Sequence, residues 1–153
     1  MKDTILFGDC RETLSQIDEK VRMCVTSPPY YGLRNYGDES NQIGQEDTPE
    51  EYIQNLVNIF RSVRNCLTDD GTLWVNIGDS YYNYRPGKGQ ALVQQTVSTS
   101  KQDLPDKCAR RGNKLEGLKE KDLIGIPWML AFALRADGWY LRQDIIWHKP
   151  NPM

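Results

Sequence analysis

Short apolar runs that stop at chain-breaking residues alternate with helical segments along this sequence, and that alternation constrains the fold most strongly. Residues 4–7 (TILF), 22–26 (RMCVT), 72–77 (TLWVNI) and 140–147 (YLRQDIIW) each have the length and composition of a strand. Strands that alternate with helices predict an α/β fold with a doubly wound, mostly parallel sheet. Ligands of such sheets bind beyond the carboxyl ends of the strands, so residues that follow the strands are the first candidates for a site.

The helices between these runs carry start and stop signals. A helix over residues 11–18 is predicted after Asp9, which with Glu12 has the spacing of a capping box. A longer helix is predicted to begin at Thr48 and Pro49, a capping residue followed by a proline at the first helical position, and to stop at 69–71. Its apolar residues recur at helical spacing: Tyr52, Leu56, Phe60, Val63 and Leu67.

A third helix, predicted over residues 126–136, is apolar on nearly every side. We therefore expect it to be buried, with Trp128 and Phe132 in the core. Trp74 lies within a predicted strand and is expected in the core as well.

Length and charge limit the number of domains and the class of partner. A chain of 153 residues suffices for one domain, so residues 1–153 are interpreted as a single unit. Within it, residues 83–121 lose the hydrophobic rhythm, which predicts a flexible insertion: either a solvated loop or a basic segment that grips phosphates. A net charge of −2 requires any nucleic-acid partner to be held by a local patch.

Metal-ligand and membrane signals are weak in this sequence. Cys10, Cys24, Cys66 and Cys108 share no C-x-x-C spacing, and His148 is the single histidine, so no metal site is predicted. The first residues lack signal-peptide architecture, and no apolar run reaches about 18 residues. We expect a cytoplasmic protein with reduced thiols and no membrane contact.

The stretch CVTSPPYYGLRNYG, residues 24–37, ends its strand in an unusual way. Pro28 and Pro29 cannot donate to a sheet, so the strand must stop there. Two tyrosines, Tyr30 and Tyr31, then stand where a plain turn would carry small polar residues. Taken alone, the stretch fits a strand-terminating turn, and it also fits the P-P-x-Y pattern of proline-rich peptide ligands.

In its context the segment 26–30 (TSPPY) resembles the catalytic signature of S-adenosylmethionine-dependent DNA methyltransferases that act on exocyclic amino groups. Residues 6–10 (LFGDC), 70–76 (DGTLWVN) and 137–151 resemble further segments of that family, in the order found when its catalytic half comes first. The resemblance implies a Rossmann-like methyltransferase fold, S-adenosyl-L-methionine as cofactor and double-stranded DNA as substrate. It covers most of the chain except the predicted insertion.

The resemblance also implies roles for individual residues. The Ser27 hydroxyl and the Pro28 carbonyl accept the two hydrogens of the target amino group, and Pro28 and Pro29 preorganise them. Tyr30 stacks on the flipped base with Tyr31 beside it. Asp9, with Cys10 next to it, is assigned to the cofactor, where its carboxylate accepts from the adenine amino group. Asp9 has an equally simple alternative role as a helix cap.

Serine rather than aspartate at position 27 favours N4 of cytosine as target, which is a tendency within the family; N6 of adenine is the alternative. A related protein or RNA amide methylase is a third possibility. A rival from another class is an inactive truncated remnant or a non-catalytic binding subunit.

That rival is motivated by the absence of the glycine-rich Phe-x-Gly-x-Gly loop that seats the cofactor in the family. In relatives with this segment order that loop lies toward the C-terminus. We therefore expect a catalytic half with a partial sheet that is incomplete at its C-terminal end. Either the gene is truncated, the chain is a shortened piece, or a second chain completes the site.

Overall fold

The computed structural model describes residues 3–33, 42–82 and 115–151. Its elements are α1 (Cys10–Thr13), a 3-10 turn (Leu14–Gln16), β1 (Val21–Thr26), α2 (Pro49–Cys66), β2 (Leu67–Val75) and α3 (Ile126–Ala136). Most of the predicted insertion, residues 83–114, lies outside the described residues. No helix among those described combines the length and the apolar character needed to cross a membrane.

The sheet is parallel, with α2 as the crossover between its two strands. Cys24 pairs with Leu73, and Thr26 pairs with Val75. The chain is therefore α/β, as the alternation predicts. Within the described ranges the sheet has two strands, so a doubly wound sheet is not confirmed.

The core lies where α2 meets α3 and the inner face of the sheet. α2 begins as predicted, because the Thr48 hydroxyl accepts a hydrogen bond of 3.2 Å from the backbone N–H of Glu51, and Pro49 occupies the first turn. The buried side chains recur at helical spacing on both helices: Tyr52, Ile53, Leu56, Val57, Phe60 and Val63 on α2, and Ile126, Leu130 and Leu134 on α3. Burial of one such side chain contributes about 1.5–3 kcal/mol, so this seam is the main source of stability.

The junction between α2 and β2 differs from the prediction. α2 ends at Cys66, and Leu67 is already buried and paired with Val21. Regular pairing resumes at Thr72 opposite Met23, so residues 68–71 form an irregular bulge within β2. The predicted helix stop at 69–71 is therefore wrong, because tertiary pairing of Leu67 ends the helix earlier.

The predicted strands at 4–7 and 140–147 are not strands in the structure. Phe7 is 89% exposed and Trp147 is 78% exposed. An extended segment becomes a strand when a neighbour takes up its backbone hydrogen bonds, and neither segment pairs with β1 or β2 in the part of the chain described here. The apolar pattern predicted two further strands, but the described residues contain no strand that pairs with either segment.

Three aromatic residues expected in the core are exposed. Trp128 is 54% exposed, Phe132 is 53% exposed and Trp74 is 44% exposed. The reason is that α3 packs on α2 through one stripe, while its opposite face meets no neighbour among the described residues. Likewise, one face of the sheet packs on α2 and the face that bears Trp74 is open. The predictions of a wholly buried α3 and a buried Trp74 are wrong.

Candidate active site at the carboxyl ends of the strands

The residues after β1 and the residues after β2 run side by side at one edge of the sheet. The backbone N–H of Asn76 donates to the carbonyl of Thr26 at 2.9 Å, which carries the parallel pairing one step beyond the strands. Ser27 follows with an exposed side chain, and Pro28 follows buried. The predicted motif therefore lies at the strand ends, where ligands of parallel sheets bind.

Side chains from two other segments hold the backbone just after the prolines. The hydroxyl of Tyr52, on α2, donates to the Pro29 carbonyl at 2.8 Å. The hydroxyl of Ser80, beyond β2, donates to the Tyr31 carbonyl at 3.0 Å. By contrast, no hydrogen bond to the Ser27 hydroxyl or the Pro28 carbonyl is found among residues 3–33, 42–82 and 115–151.

A loop near Gly44 supports the same backbone from the other side. The Gly44 carbonyl accepts a hydrogen bond of 2.8 Å from the N–H of Gly32. Gly44 has φ +87°, and a Cβ atom there would lie 2.9 Å from the carbonyl oxygen of Tyr30. Glycine is required at this position both by its conformation and by the close approach.

The two tyrosines of the motif have different environments. The Tyr30 ring lies against the backbone at Gly78, where an added Cβ would come within 2.9 Å of its Cε2 atom. The Tyr31 ring packs on Tyr52 with centroids 5.5 Å apart, and its hydroxyl donates to the Asp47 carbonyl at 3.4 Å. Tyr31 is thus joined to the core, whereas the Tyr30 ring is half-buried at the strand ends.

Asp79 contributes to this edge in a way that the sequence did not disclose. Its carboxylate accepts hydrogen bonds of 3.0 Å from the N–H groups of Gly125 and Ile126, at the start of α3. It also accepts one of 2.8 Å from Ser80 N–H. A carboxylate suits the N-terminus of a helix, where N–H groups lack partners and the dipole favours negative charge. Asp79 follows the predicted strand 72–77 closely in sequence, but its partners Gly125 and Ile126 stand 46 and 47 residues away.

Asp9 and Cys10 lie at the start of α1. The Asp9 carboxylate accepts from the Arg11 backbone N–H at 2.8 Å and from the Arg11 guanidinium through both oxygens. These bonds hold the pKa of Asp9 below its ordinary value. Partial burial raises the pKa of the Cys10 thiol, as does the neighbouring Asp9 charge. Asp9 therefore acts as the helix cap that the sequence allowed, and within the described residues neither side chain contacts the Ser27 to Tyr31 stretch.

The described residues fit a cofactor pocket in part. Asp9 is partly exposed, but it could receive the adenine amino group only by sharing its oxygens with Arg11. Among the described residues no cluster of three or more histidine, cysteine, aspartate or glutamate side chains could hold a metal ion. The arrangement offers backbone and hydroxyl acceptors beside an aromatic ring, which suits recognition of a planar group that bears N–H donors.

An α/β chain with a Ser-Pro-Pro-Tyr stretch held at a strand end has the arrangement expected of a methyltransferase for exocyclic amino groups. The chain belongs to the N6/N4 DNA methylase family, because residues 21–153 match the family model described as DNA methylase. DNA methyltransferases of this family use S-adenosyl-L-methionine. No solved structure matches the chain.

Curated relatives carry the name type II methyltransferase. M.SmaI of Serratia marcescens is 50% identical to this chain in an alignment that covers 96% of this chain and 48% of the relative. M.Cfr9I of Citrobacter freundii is 48% identical over 98% of this chain and 47% of the relative. M.SfiI of Streptomyces fimbriatus is 40% identical over 95% of this chain and 30% of the relative. The chain spans about half the length, or less, of these relatives.

Proposed function

We propose that this chain supplies the base-side half of a type II DNA methyltransferase. The completed enzyme, meaning this chain together with polypeptide equivalent to the rest of its relatives, transfers a methyl group to the exocyclic amino group of a flipped base in double-stranded DNA. The observation that carries the proposal is the braced backbone after Pro28, at the edge of the sheet where ligands bind. A DNA substrate implies a cytoplasmic location, and the relatives' type implies a restriction-modification role.

The chemistry asked of these residues is activation of a weak nucleophile. An exocyclic amino nitrogen shares its lone pair with the ring, so it attacks poorly. Acceptors at the Ser27 hydroxyl and the Pro28 carbonyl draw its two hydrogens and favour a tetrahedral nitrogen with a free lone pair. S-adenosyl-L-methionine, when bound, supplies the methyl group. The proton released from the methylated nitrogen passes to water, either directly or through the Ser27 hydroxyl, which gives its own proton to water as it receives the new one.

The base must leave the duplex before those acceptors can reach it, which costs a few kcal/mol. Tyr30 is the proposed platform, because its ring lies at the strand ends with one side against the Gly78 backbone. Stacking on an aromatic ring returns about 1–3 kcal/mol per base. Tyr31 supports the neighbouring Tyr30 through the backbone, because its own ring packs on Tyr52.

Cytosine N4 is the proposed target. The support is the family tendency of serine, rather than aspartate, to stand at the position of Ser27. Adenine N6 presents the same pair of hydrogens to the same acceptors, so the geometry supports either base. Mass analysis of nucleosides from methylated DNA distinguishes them, and N6-methyladenine as the sole product would overturn the preference.

Completion by further polypeptide is supported by the apolar surface that the sheet exposes. Met23 and Val25 of β1 are 57% and 68% exposed, on the face that also bears Trp74. One edge of β1 has no strand partner within the described residues, and an unpaired apolar edge readily takes up another strand. We propose that polypeptide equivalent to the second half of the relatives adds strands at that edge, which builds the doubly wound sheet, and covers the exposed face. The rival function, an inactive remnant, would leave this face uncovered.

The experiment that tests the proposed function replaces Ser27 by alanine in the completed enzyme. Loss of one preorganised hydrogen-bond partner is expected to lower kcat by about 10²–10³-fold. Because Ser27 is exposed, the melting temperature should stay within about 1 °C of wild type. Radiolabelled methyl transfer to duplex DNA measures the first quantity and circular dichroism the second. Wild-type activity in Ser27→Ala would refute its role, and no transfer by the wild-type completed enzyme would refute the function.

A further inference from the structure

Tyr52 lies outside the strand-end motif but reaches its backbone from the first turns of α2. Its side chain is fully buried. Its hydroxyl donates a hydrogen bond of 2.8 Å to the carbonyl oxygen of Pro29. The helical periodicity of α2 accounts for an apolar ring at this position, but it does not account for the hydroxyl. A phenylalanine would fill the same core without the cost of desolvating a polar group.

The direction in which the chain passes from the two prolines into Tyr30 depends on the backbone angles of the prolines. The two proline rings fix φ of Pro28 and Pro29 near about −65°. The presence of a following proline restricts ψ of Pro28 as well. The rotation left open is ψ of Pro29, which decides where the Pro29 carbonyl points and how the chain enters Tyr30. The Tyr52 hydrogen bond closes that rotation.

The donor is itself held in place and stays protonated. The Tyr52 ring packs against Tyr31, and both belong to the surroundings of the α2 core. Burial raises the pKa of the Tyr52 hydroxyl well above its ordinary value, and the charge of Glu46 adds to that effect. Glu46 in turn accepts from Gly44 N–H at 2.8 Å and from the Asn55 side chain at 3.0 Å. The loop and α2 therefore form one rigid support.

We propose that Tyr52 is a positioning residue for methyl transfer, whose hydroxyl holds the Pro29 carbonyl, sets the direction in which the chain enters Tyr30 and so keeps the Tyr30 ring in place for the target base. This inference rests on the proposed function. The hydroxyl acts through the backbone and touches no substrate, so its loss should misalign the Tyr30 ring without removing a binding contact. The expected consequence is a lower kcat with unchanged KM values.

The test replaces Tyr52 by phenylalanine, with Tyr82→Phe as the matched control. Tyr82 is also buried, and its hydroxyl accepts from Leu115 N–H at 3.2 Å, away from the motif. In residues 1–153, the Pro29 carbonyl carbon is observed through the Tyr30 amide proton by NMR. Its resonance should move upfield in Tyr52→Phe, as expected for a lost hydrogen bond, and stay in place in Tyr82→Phe. In the completed enzyme, kcat should fall about tenfold in Tyr52→Phe and remain near wild type in Tyr82→Phe.

The outcomes separate this inference from the proposed function. If the wild-type completed enzyme transfers methyl groups and Tyr52→Phe keeps its kcat, the positioning role is overturned while the function stands. If Tyr52→Phe and Tyr82→Phe lose kcat equally, or if KM for DNA rises instead, the hydroxyl has a general structural or binding role and the inference is again overturned. If the wild-type enzyme transfers nothing, the proposed function fails, and the positioning role fails with it.

Discussion

At the scale of single residues, glycines decide how closely the motif can approach the neighbouring chain. Gly44 lets a loop lie against the carbonyls of Pro29 and Tyr30, and Gly78 lets the Tyr30 ring lie against the end of β2. Neither glycine belongs to the Ser-Pro-Pro-Tyr stretch. Each matters because a single added carbon would occupy space that the motif already fills.

Gly78→Ala is expected to displace the Tyr30 ring, because the new Cβ would stand 2.9 Å from Cε2. Overpacking of this kind costs about 1–3 kcal/mol of unfolding free energy. Displacement of the platform should lower methyl transfer by the completed enzyme by roughly 10- to 100-fold. Urea unfolding and transfer assays measure the two effects.

Gly117→Ala is the matched control for that change. Gly117 has φ +81° and open space around its Cα, so alanine there costs about 1–2 kcal/mol through backbone strain alone. Gly117→Ala should lower the unfolding free energy by about as much as Gly78→Ala does, while methyl transfer by the completed enzyme stays near wild type. Equal loss of activity in both variants would show that Gly78 acts through stability and not through Tyr30.

At the scale of elements, capping groups hold the starts of the helices in place relative to the carboxyl ends of the strands. Asp79 follows β2 and caps α3, which also orients Ser80 toward the Tyr31 carbonyl. Thr48 caps α2 and so fixes the first turns of the helix, from which Tyr52 donates to the Pro29 carbonyl. The site is therefore positioned by the ends of helices as much as by the strands.

Thr48→Val removes the α2 cap while keeping the shape of the side chain. Loss of such a cap costs about 0.5–2 kcal/mol, which for a domain of this size lowers the melting temperature by about 2–4 °C per kcal/mol. Thr68→Val is the control, since the Thr68 hydroxyl is buried and has no hydrogen-bond partner in the described part of the chain. Thermal unfolding should show Thr68→Val to be neutral or slightly stabilising. A comparable loss in both variants would contradict the capping role of Thr48.

At the scale of the whole molecule, the described residues form a two-stranded sheet of which one face is covered by helices and the other is exposed. α2 and α3 cover the inner face, whereas Trp74, Trp128 and Phe132 lie largely open. Asp9, which the family resemblance assigns to the cofactor, already accepts from Arg11, and the sequence holds no Phe-x-Gly-x-Gly loop. The residues proposed to receive the target base are thus held by more contacts than those proposed for the cofactor.

Residues 1–153 alone are therefore expected to bind S-adenosyl-L-methionine with millimolar affinity or weaker and to transfer no methyl group. Each missing charge-assisted hydrogen bond contributes about 1.5–3 kcal/mol, and each 1.4 kcal/mol is about tenfold in affinity. Calorimetric titration measures the affinity, and the melting temperature should not rise with modest cofactor concentrations. The completed enzyme serves as the positive control. Micromolar binding by the chain alone would contradict the prediction.

Features that depend on neighbours along the chain were predictable from the sequence. Thr48-Pro49 marked the start of α2, the prolines after Thr26 marked the end of β1, and the bounds of α3 were readable from its apolar run. Local backbone chemistry and capping set the ends of these elements, so the ends do not depend on tertiary contacts. The family motif likewise indicated Ser27 to Tyr30 as the site.

The tertiary structure alone decided which distant groups meet. The sequence places Asp79 just after the predicted strand 72–77, but it does not show that Asp79 caps a helix that begins 47 residues further on. It likewise predicts Tyr52 on the apolar face of α2, but not that its hydroxyl donates to Pro29. Residues 4–7 and 140–147 have strand-like sequences, yet neither segment is a strand of the sheet that the described residues form. Pairing and burial are properties of two surfaces together, and a pattern in one segment describes one of them.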